Sequence, residues 1–180
     1  MGAWEELDTE INCENDHTDL EKILSLDDSY GILEPVQNEV NDLINKIDTG
    51  SKNAVEDLAK RNVSFQEKWI NKNCKNPSGV LASSIDYEGN DYSYITGTRI
   101  NHIYPMSVEY GADIYPVTAS VLKFPAPDDW EGDVDEDGFV YLKEAHPPAH
   151  PFVAPAYDDT VEIAETIMLT EIEHAGVDWD

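Results

Sequence analysis

IDYEGNDYSYITG, residues 85 to 97, is the stretch on which the fold turns. Tyr92, Tyr94 and Thr96 alternate there, and aromatic and β-branched residues at a period of two argue a strand. Upstream the period is helical. Pro35 suits the first turn of a helix carrying Val36, Val40, Leu43, Ile44 and Ile47 on one face, which Gly50 is expected to stop. Asn53, with Glu56 three residues on, is expected to cap a longer helix through Val55, Leu58, Ala59, Phe65, Trp69 and Ile70, closed by Asn76 and Pro77. Further upstream, Thr18 and Glu21 form a capping-box pair that opens a short helix through Leu20, Ile23 and Leu24.

Downstream, residues 102 to 110 allow one or two helical turns. Val117 to Phe124 and Phe139 to Lys143 read as two strands joined by the acidic stretch PAPDDWEGDVDED. After prolines at 147, 148, 151 and 155, Asp158 and Asp159 suit a helix N-terminus, where the backbone dipole favours negative charge. Val161, Ala164, Ile167, Met168 and Ile172 give that last helix its apolar stripe. The order helices, strands, helix predicts an α+β fold: N-terminal helices and a C-terminal helix packed on a small, mostly antiparallel β-sheet with an extended β-hairpin. The expected organisation is an N-terminal extension with a short helix over residues 1–34, one domain over 35–175, and a tail over 176–180.

Composition narrows the class. The chain has 180 residues, long enough for one domain with a real core, and 38 acidic against 11 basic residues give a formal charge of −27. Such self-repulsion opposes a compact state, yet four Trp, nine Tyr and periodic apolar stripes do not fit a disordered acidic tail. Salt resolves the conflict, because the Debye length falls from ~10 Å at 0.1 M to ~3 Å at 1 M. A halophilic cytoplasm is therefore the expected setting. Surplus carboxylates repel phosphate, so adhesion to nucleic acid is not expected. No apolar run approaches the ~20 residues of a membrane span, and the acidic start MGAWEELDTE does not read as a signal peptide. Cys13 and Cys74 are expected to be free thiols.

Two motifs invite a metal. DVDEDGFVYLKE, residues 133 to 144, places Asp133, Asp135 and Asp137 at positions 1, 3 and 5 of an EF-hand-like loop, Gly138 at 6 and Glu144 at 12. A Ca²⁺ site would use those carboxylates, but an EF-hand needs a helix on each side. Pro125 and Pro127 precede this loop and Pro147 and Pro148 follow it. An acidic hairpin tip is the expected reading, with a Ca²⁺-binding module as an alternative and an acidic DNA mimic as another. His146 and His150 with Glu144 lack the helix that would put them on one face as zinc ligands. No nucleophile elbow, P-loop or dinucleotide fingerprint occurs, and Ser83 and Ser84 near His102 have no supporting motif, so no catalytic residue, cofactor or metal is expected.

Four short pieces in fixed order carry a resemblance. NPSGVLASSI, residues 76 to 85, is similar to a "P-x-x-T-G-x-L-x-x-S-I" segment, with Ser78 where Thr is commoner. YPMSVEYG, residues 104 to 111, fits "Y-x-x-x-V-E-[YF]-G". Leu122, Lys123 and Phe124, then Gly138, Phe139, Val140, Tyr141 and Lys143, fit a hairpin reading "L-[KR]-F-x…G-x-V-[FY]-x-K". AHPPAHPFVAPAYDD, residues 145 to 159, contains "P-x-x-P-F-x-x-P-A" before a last helix. Over roughly residues 35 to 172 the chain resembles the tail-component family of tailed viruses typified by gene product ten of phage HK-ninety-seven, whose members act as neck or tail-completion proteins.

The resemblance, joined to the charge, implies a virion protein of a haloarchaeal tailed virus, assembled in the host cytoplasm. It implies a self-assembled ring, hexameric in the family, between a head-closure or adaptor protein and a tail terminator or tail tube protein. DNA would pass through the lumen without specific binding. The assembly interface it implies comprises Tyr104, Val108, Glu109, Tyr110, Phe124, Phe139, Pro151, Phe152 and Pro155, with the prolines fixing an extended segment that presents Phe152 to an apolar pocket.

Overall fold

The computed structural model describes residues 9–12, 34–74, 79–100, 103–126 and 130–178, and divides into two compact units, Met1–Asn101 with Phe152–Asp180, and His102–Pro151. The short helix expected after Thr18, and Cys13, lie outside the described residues.

The first unit is built on α1, a 40-residue helix over Glu34–Asn73. Pro35 occupies its first turn and no later proline interrupts it. Four acid–base pairs at i,i+4 run along its exposed side, each with the acid nearer the N-terminus, the orientation that agrees with the helix dipole: Asp42–Lys46 (2.6 Å), Asp48–Lys52 (3.0 Å), Glu56–Lys60 (2.7 Å) and Asp57–Arg61 (2.7 Å). The opposite side buries Ala54, Val55, Leu58, Ala59 and Ile70.

Two helices separated at Gly50 were expected; one continuous helix is found. An interior glycine costs about 1 kcal/mol relative to alanine, so its presence needs a reason. The reason is the terminal helix α3, Val153–His174, which packs on α1: a Cβ at Gly50 would lie 2.5 Å from the Ile172 Cα and 2.9 Å from the Glu171 carbonyl oxygen. The glycine marks a backbone-to-backbone approach rather than a stop. Contacts from Trp69 to Asp159, Asn62 to Thr160, Gly50 to Ile172 and Lys46 to Gly176 show that the two helices run antiparallel.

Following a 3-10 turn at Ala82–Ser84, the stretch expected as one strand is a hairpin: β2, Ile85–Asn90, and β3, Ser93–Thr98, in register Tyr87↔Thr96. The turn needs Asp91 at φ 43°, a left-handed conformation that aspartate tolerates better than most residues. Strand β1, Thr9–Asn12, pairs antiparallel with the other edge of β3, giving the order β1-β3-β2. Ile85, Thr96 and Thr98 are buried, and a hydrogen bond from Gln66 to Thr96 joins α1 to the sheet.

The terminal helix begins at Val153, so Pro155 lies in its first turn and Asp158 and Asp159 in its second. Its inward residues are Ala156, Thr160 and Ile172. Val161, expected inside, is 55% exposed. The expected stripe was drawn from hydropathy, whereas this face meets a polar site on α1 that accepts Thr160.

The second unit holds α2, Tyr104–Tyr110, and an antiparallel hairpin of β4, Leu122–Pro125, with β5, Phe139–Leu142. Both expected strands are present, though residues 117 to 121 are bends rather than strand. Helices and antiparallel sheets together make the fold α+β, as the element order predicts. Among the described residues no helix is long and apolar enough to cross a membrane.

Candidate assembly surface

The unit His102–Pro151 is nearly devoid of interior: among its described residues only Pro105, Glu109 and Val140 are buried. A segment of that size cannot offset its ordering entropy with so little apolar burial. Its apolar side chains lie instead on the surface. Ile103, Tyr104, Tyr110, Ile114 and Tyr115 are exposed, and Val117 is 96% exposed.

A two-stranded ribbon positions part of this set. The His150 N–H donates to the Val108 carbonyl (2.7 Å), the Ala112 N–H to Pro147 (3.3 Å), and Ile114 and Ala145 exchange bonds of 2.8 and 3.0 Å. Residues 112–114 thus run antiparallel to 145–147 while His150 bonds the last turn of α2, and between them Gly111 sits at φ 76° where a Cβ would stand 3.0 Å from the Pro147 carbonyl oxygen. Prolines at 147 and 148 fix φ in the outer strand and lower the entropy lost on ordering it. At the ribbon's edge His146 Nδ1 lies 2.6 Å from Asp113 Oδ1, its Nε2 lies 3.7 Å from Glu144 Oε1, and the Tyr115 ring meets it edge-on at 6.5 Å. The Asp113 hydrogen bond, reinforced by Glu144, raises the imidazole above its ordinary range. The two carboxylates approach different nitrogens, an ion-pair clamp rather than a shared coordination centre.

The hairpin adds a second aromatic group. Phe124 meets Trp130 edge-to-face at 6.3 Å, and Lys123 lies over the Phe139 and Tyr141 rings at 4.3 and 5.2 Å. The acidic loop folds as a turn between strands. Asp135 Oδ1 accepts the N–H groups of Phe139 (2.8 Å) and Asp137 (3.0 Å), while Oδ2 accepts the Tyr141 hydroxyl (2.8 Å). These bonds hold its carboxyl below the usual carboxylate range. The residue that the EF-hand pattern places at position 3 therefore uses both oxygens inside the turn. Asp133, Asp137 and Glu144 point outward and exposed, and among the described residues no three His, Cys, Asp or Glu side chains converge to hold a metal ion.

The structure divides the expected interface residues. Tyr104, Tyr110 and Pro151 are exposed, and Val108, Phe124, Phe139 and Pro155 are partly so. Glu109 is buried and Phe152 is 0% exposed, so neither presents a surface to a neighbour; the prolines deliver Phe152 into its own chain. Sequence reasoning missed Ile103, Ile114, Tyr115 and Val117. One signal was there to find them: between residues 103 and 126 the acidic residues are only Glu109 and Asp113, in a chain that has 38.

A second feature it missed is structural. Asn62, Gln66, Thr96 and Thr160 are buried and form a network linking α1, the sheet and α3: Thr96 Oγ1 to Asn62 Oδ1 (2.6 Å), Gln66 Nε2 to Asn62 Oδ1 (2.7 Å), and Asn62 Nδ2 to Thr160 Oγ1 (2.8 Å). The Gln66 Oε1 is left without a partner.

Comparison with known proteins gives no relative: no family model, no curated protein and no solved structure matches the chain.

Proposed function

We propose that the chain is a structural protein of the head-to-tail connection of a tailed virion, a neck or tail-completion subunit that assembles with copies of itself and with the head-closure and tail proteins on either side. The carrying observation is the unit His102–Pro151, which exposes Tyr104, Tyr110, Ile114, Tyr115 and Val117 while burying almost nothing. So many exposed apolar side chains on a segment with so little interior support a surface that another protein covers. The motif order in residues 76 to 159 supplies the choice of assembly.

Charge supports a role beside DNA without adhesion to it. Lys46, Lys52, Lys60, Arg61, Lys68 and Arg99 sit against carboxylates of the same chain, and Lys72 and Lys123 lie over aromatic rings. Phosphate gains affinity from cations free to replace its counterions, and a lumen lined by this chain would offer few. The role is structural rather than enzymatic.

Mass spectrometry of purified virions tests the reading: the chain should be present at a few copies per particle. Particles lacking it, with heads and tails joined normally when its gene is deleted, would end the proposal.

A further inference from the structure

Helix α3 leaves an apolar row uncovered. Tyr157, Val161, Ala164 and Met168 recur at i, i+4, i+7 and i+11, so they share one line along the helix, beside the line of Ala156 and Thr160 that faces α1. Tyr157 is 51% and Val161 55% exposed, with Ala164 and Met168 half-buried. One residue further round, Asp158, Glu162 and Glu165 form a second row at i, i+4 and i+7, all exposed. The two long helices treat their acids differently. On α1, Asp42, Asp48, Glu56 and Asp57 each meet a Lys or Arg of the same helix. Val153–His174 carries no Lys or Arg. Asp159 meets Lys68 of α1 at 3.1 Å, but among the described residues no cation pairs with Asp158, Glu162 or Glu165.

We infer that this face of α3 is a docking surface for a basic amphipathic helix of another protein. Its warrant is charge complementarity in register. A helix with apolar residues at the same spacing would cover Tyr157, Val161 and Met168, and Lys or Arg beside them would meet the acidic row. A second copy of α3 would bring carboxylates against carboxylates, and nucleic acid would bring phosphate, so both are repelled where a basic helix is attracted. Tyrosine and methionine suit the contact: one supplies a rigid ring with a polar tip, the other a side chain that adapts to the shape it meets. The surface belongs to the first unit, and its chemistry is independent of the virion reading.

Two designed helical peptides probe it, alike in a row of Leu at i, i+4, i+7 and i+11 and differing only in whether Lys or Glu flanks that row. Fluorescence anisotropy, at the lowest KCl concentration at which circular dichroism shows the chain folded, should find the Lys peptide bound on the order of tenfold more tightly than the Glu peptide, a preference that shrinks as KCl rises. Val161→Ser should weaken binding of the Lys peptide by about fivefold. Glu162→Lys combined with Glu165→Lys, at exposed positions where folding is not at stake, should invert the preference so that the Glu peptide binds better. No binding of either peptide, equal binding of both, or a preference unaltered by the charge reversal would overturn the inference. So would sedimentation in which the chain alone self-associates and Val161→Ser abolishes it, which would give the row to a second copy.

Discussion

Gly50→Ala reverses the usual expectation for a helix glycine. In an exposed helix, alanine for glycine stabilises by about 1 kcal/mol. Here the new Cβ would stand 2.5 Å from the Ile172 Cα and 2.9 Å from the Ile172 nitrogen and the Glu171 oxygen. All three are backbone atoms, so no rotamer change relieves the clash; α1 and α3 must separate by roughly 1 Å to reach ordinary contact. A gap of about 0.5–1 Å forfeits a quarter to a half of the dispersion attraction across the contact, and overpacking costs about 1–3 kcal/mol. Because the obstacle is main chain, the cost falls at or above the upper end, about 3 kcal/mol, and exceeds the propensity gain, leaving a net loss of about 2 kcal/mol or more. For a chain of this length that lowers Tm by about 4–8 °C or more. Asn53→Ala, on the exposed side of α1 three residues on, gains propensity without a clash and should raise Tm slightly. Calorimetric scans of the two variants beside the wild type decide the matter. If Gly50→Ala melts at or above the wild type, the close approach is not what keeps glycine there.

Other outcomes follow from the same contacts. Phe152→Ala should cost about 3–5 kcal/mol through loss of folding rather than of an interface, read by denaturant melts of the isolated chain; a loss below about 1 kcal/mol would contradict its burial. Asn62→Ala removes the acceptor of the Thr96 hydroxyl, leaves the Gln66 amide only its 3.3 Å bond to Thr96, and takes a donor from Thr160, so melts should show a loss of about 2 kcal/mol or more, and a neutral result would show that water replaces the asparagine. His146, raised above 6.5, contributes its clamp fully below that value and loses it as pH rises through the raised one; an NMR titration of its ring should shift downward in Asp113→Asn, and an unchanged midpoint would dissolve the clamp. Circular dichroism melts should move upward between 0.1 and 2 M KCl, and coincident curves would remove the halophilic reading.

From residue 34 onward the sequence by itself determined the order helix, strands, helix, though not β1 or the division of residues 85 to 97 into a hairpin. A 3.6-residue period over 36–70, a change to aromatic alternation near 85, and a last amphipathic run after the prolines require helix, antiparallel strands and helix, because each pattern buries one face in one conformation only. Composition likewise determined that carboxylates would dominate the surface. Only the tertiary structure decided how closely the elements meet and what lies between them. Gly50 reads as a stop until α3 is seen lying against it, since propensity registers the missing Cβ but not the neighbour that needs its absence. Hydropathy counts Asn62, Gln66 and Thr160 as surface and Val161 as core; hydrogen bonds between residues up to 98 positions apart invert that assignment. Asp135 matched a cation loop by spacing, yet its oxygens are claimed by donors that only the closed β4–β5 hairpin brings within reach. Local patterns record what each residue prefers alone, whereas packing is decided by which distant groups arrive beside it.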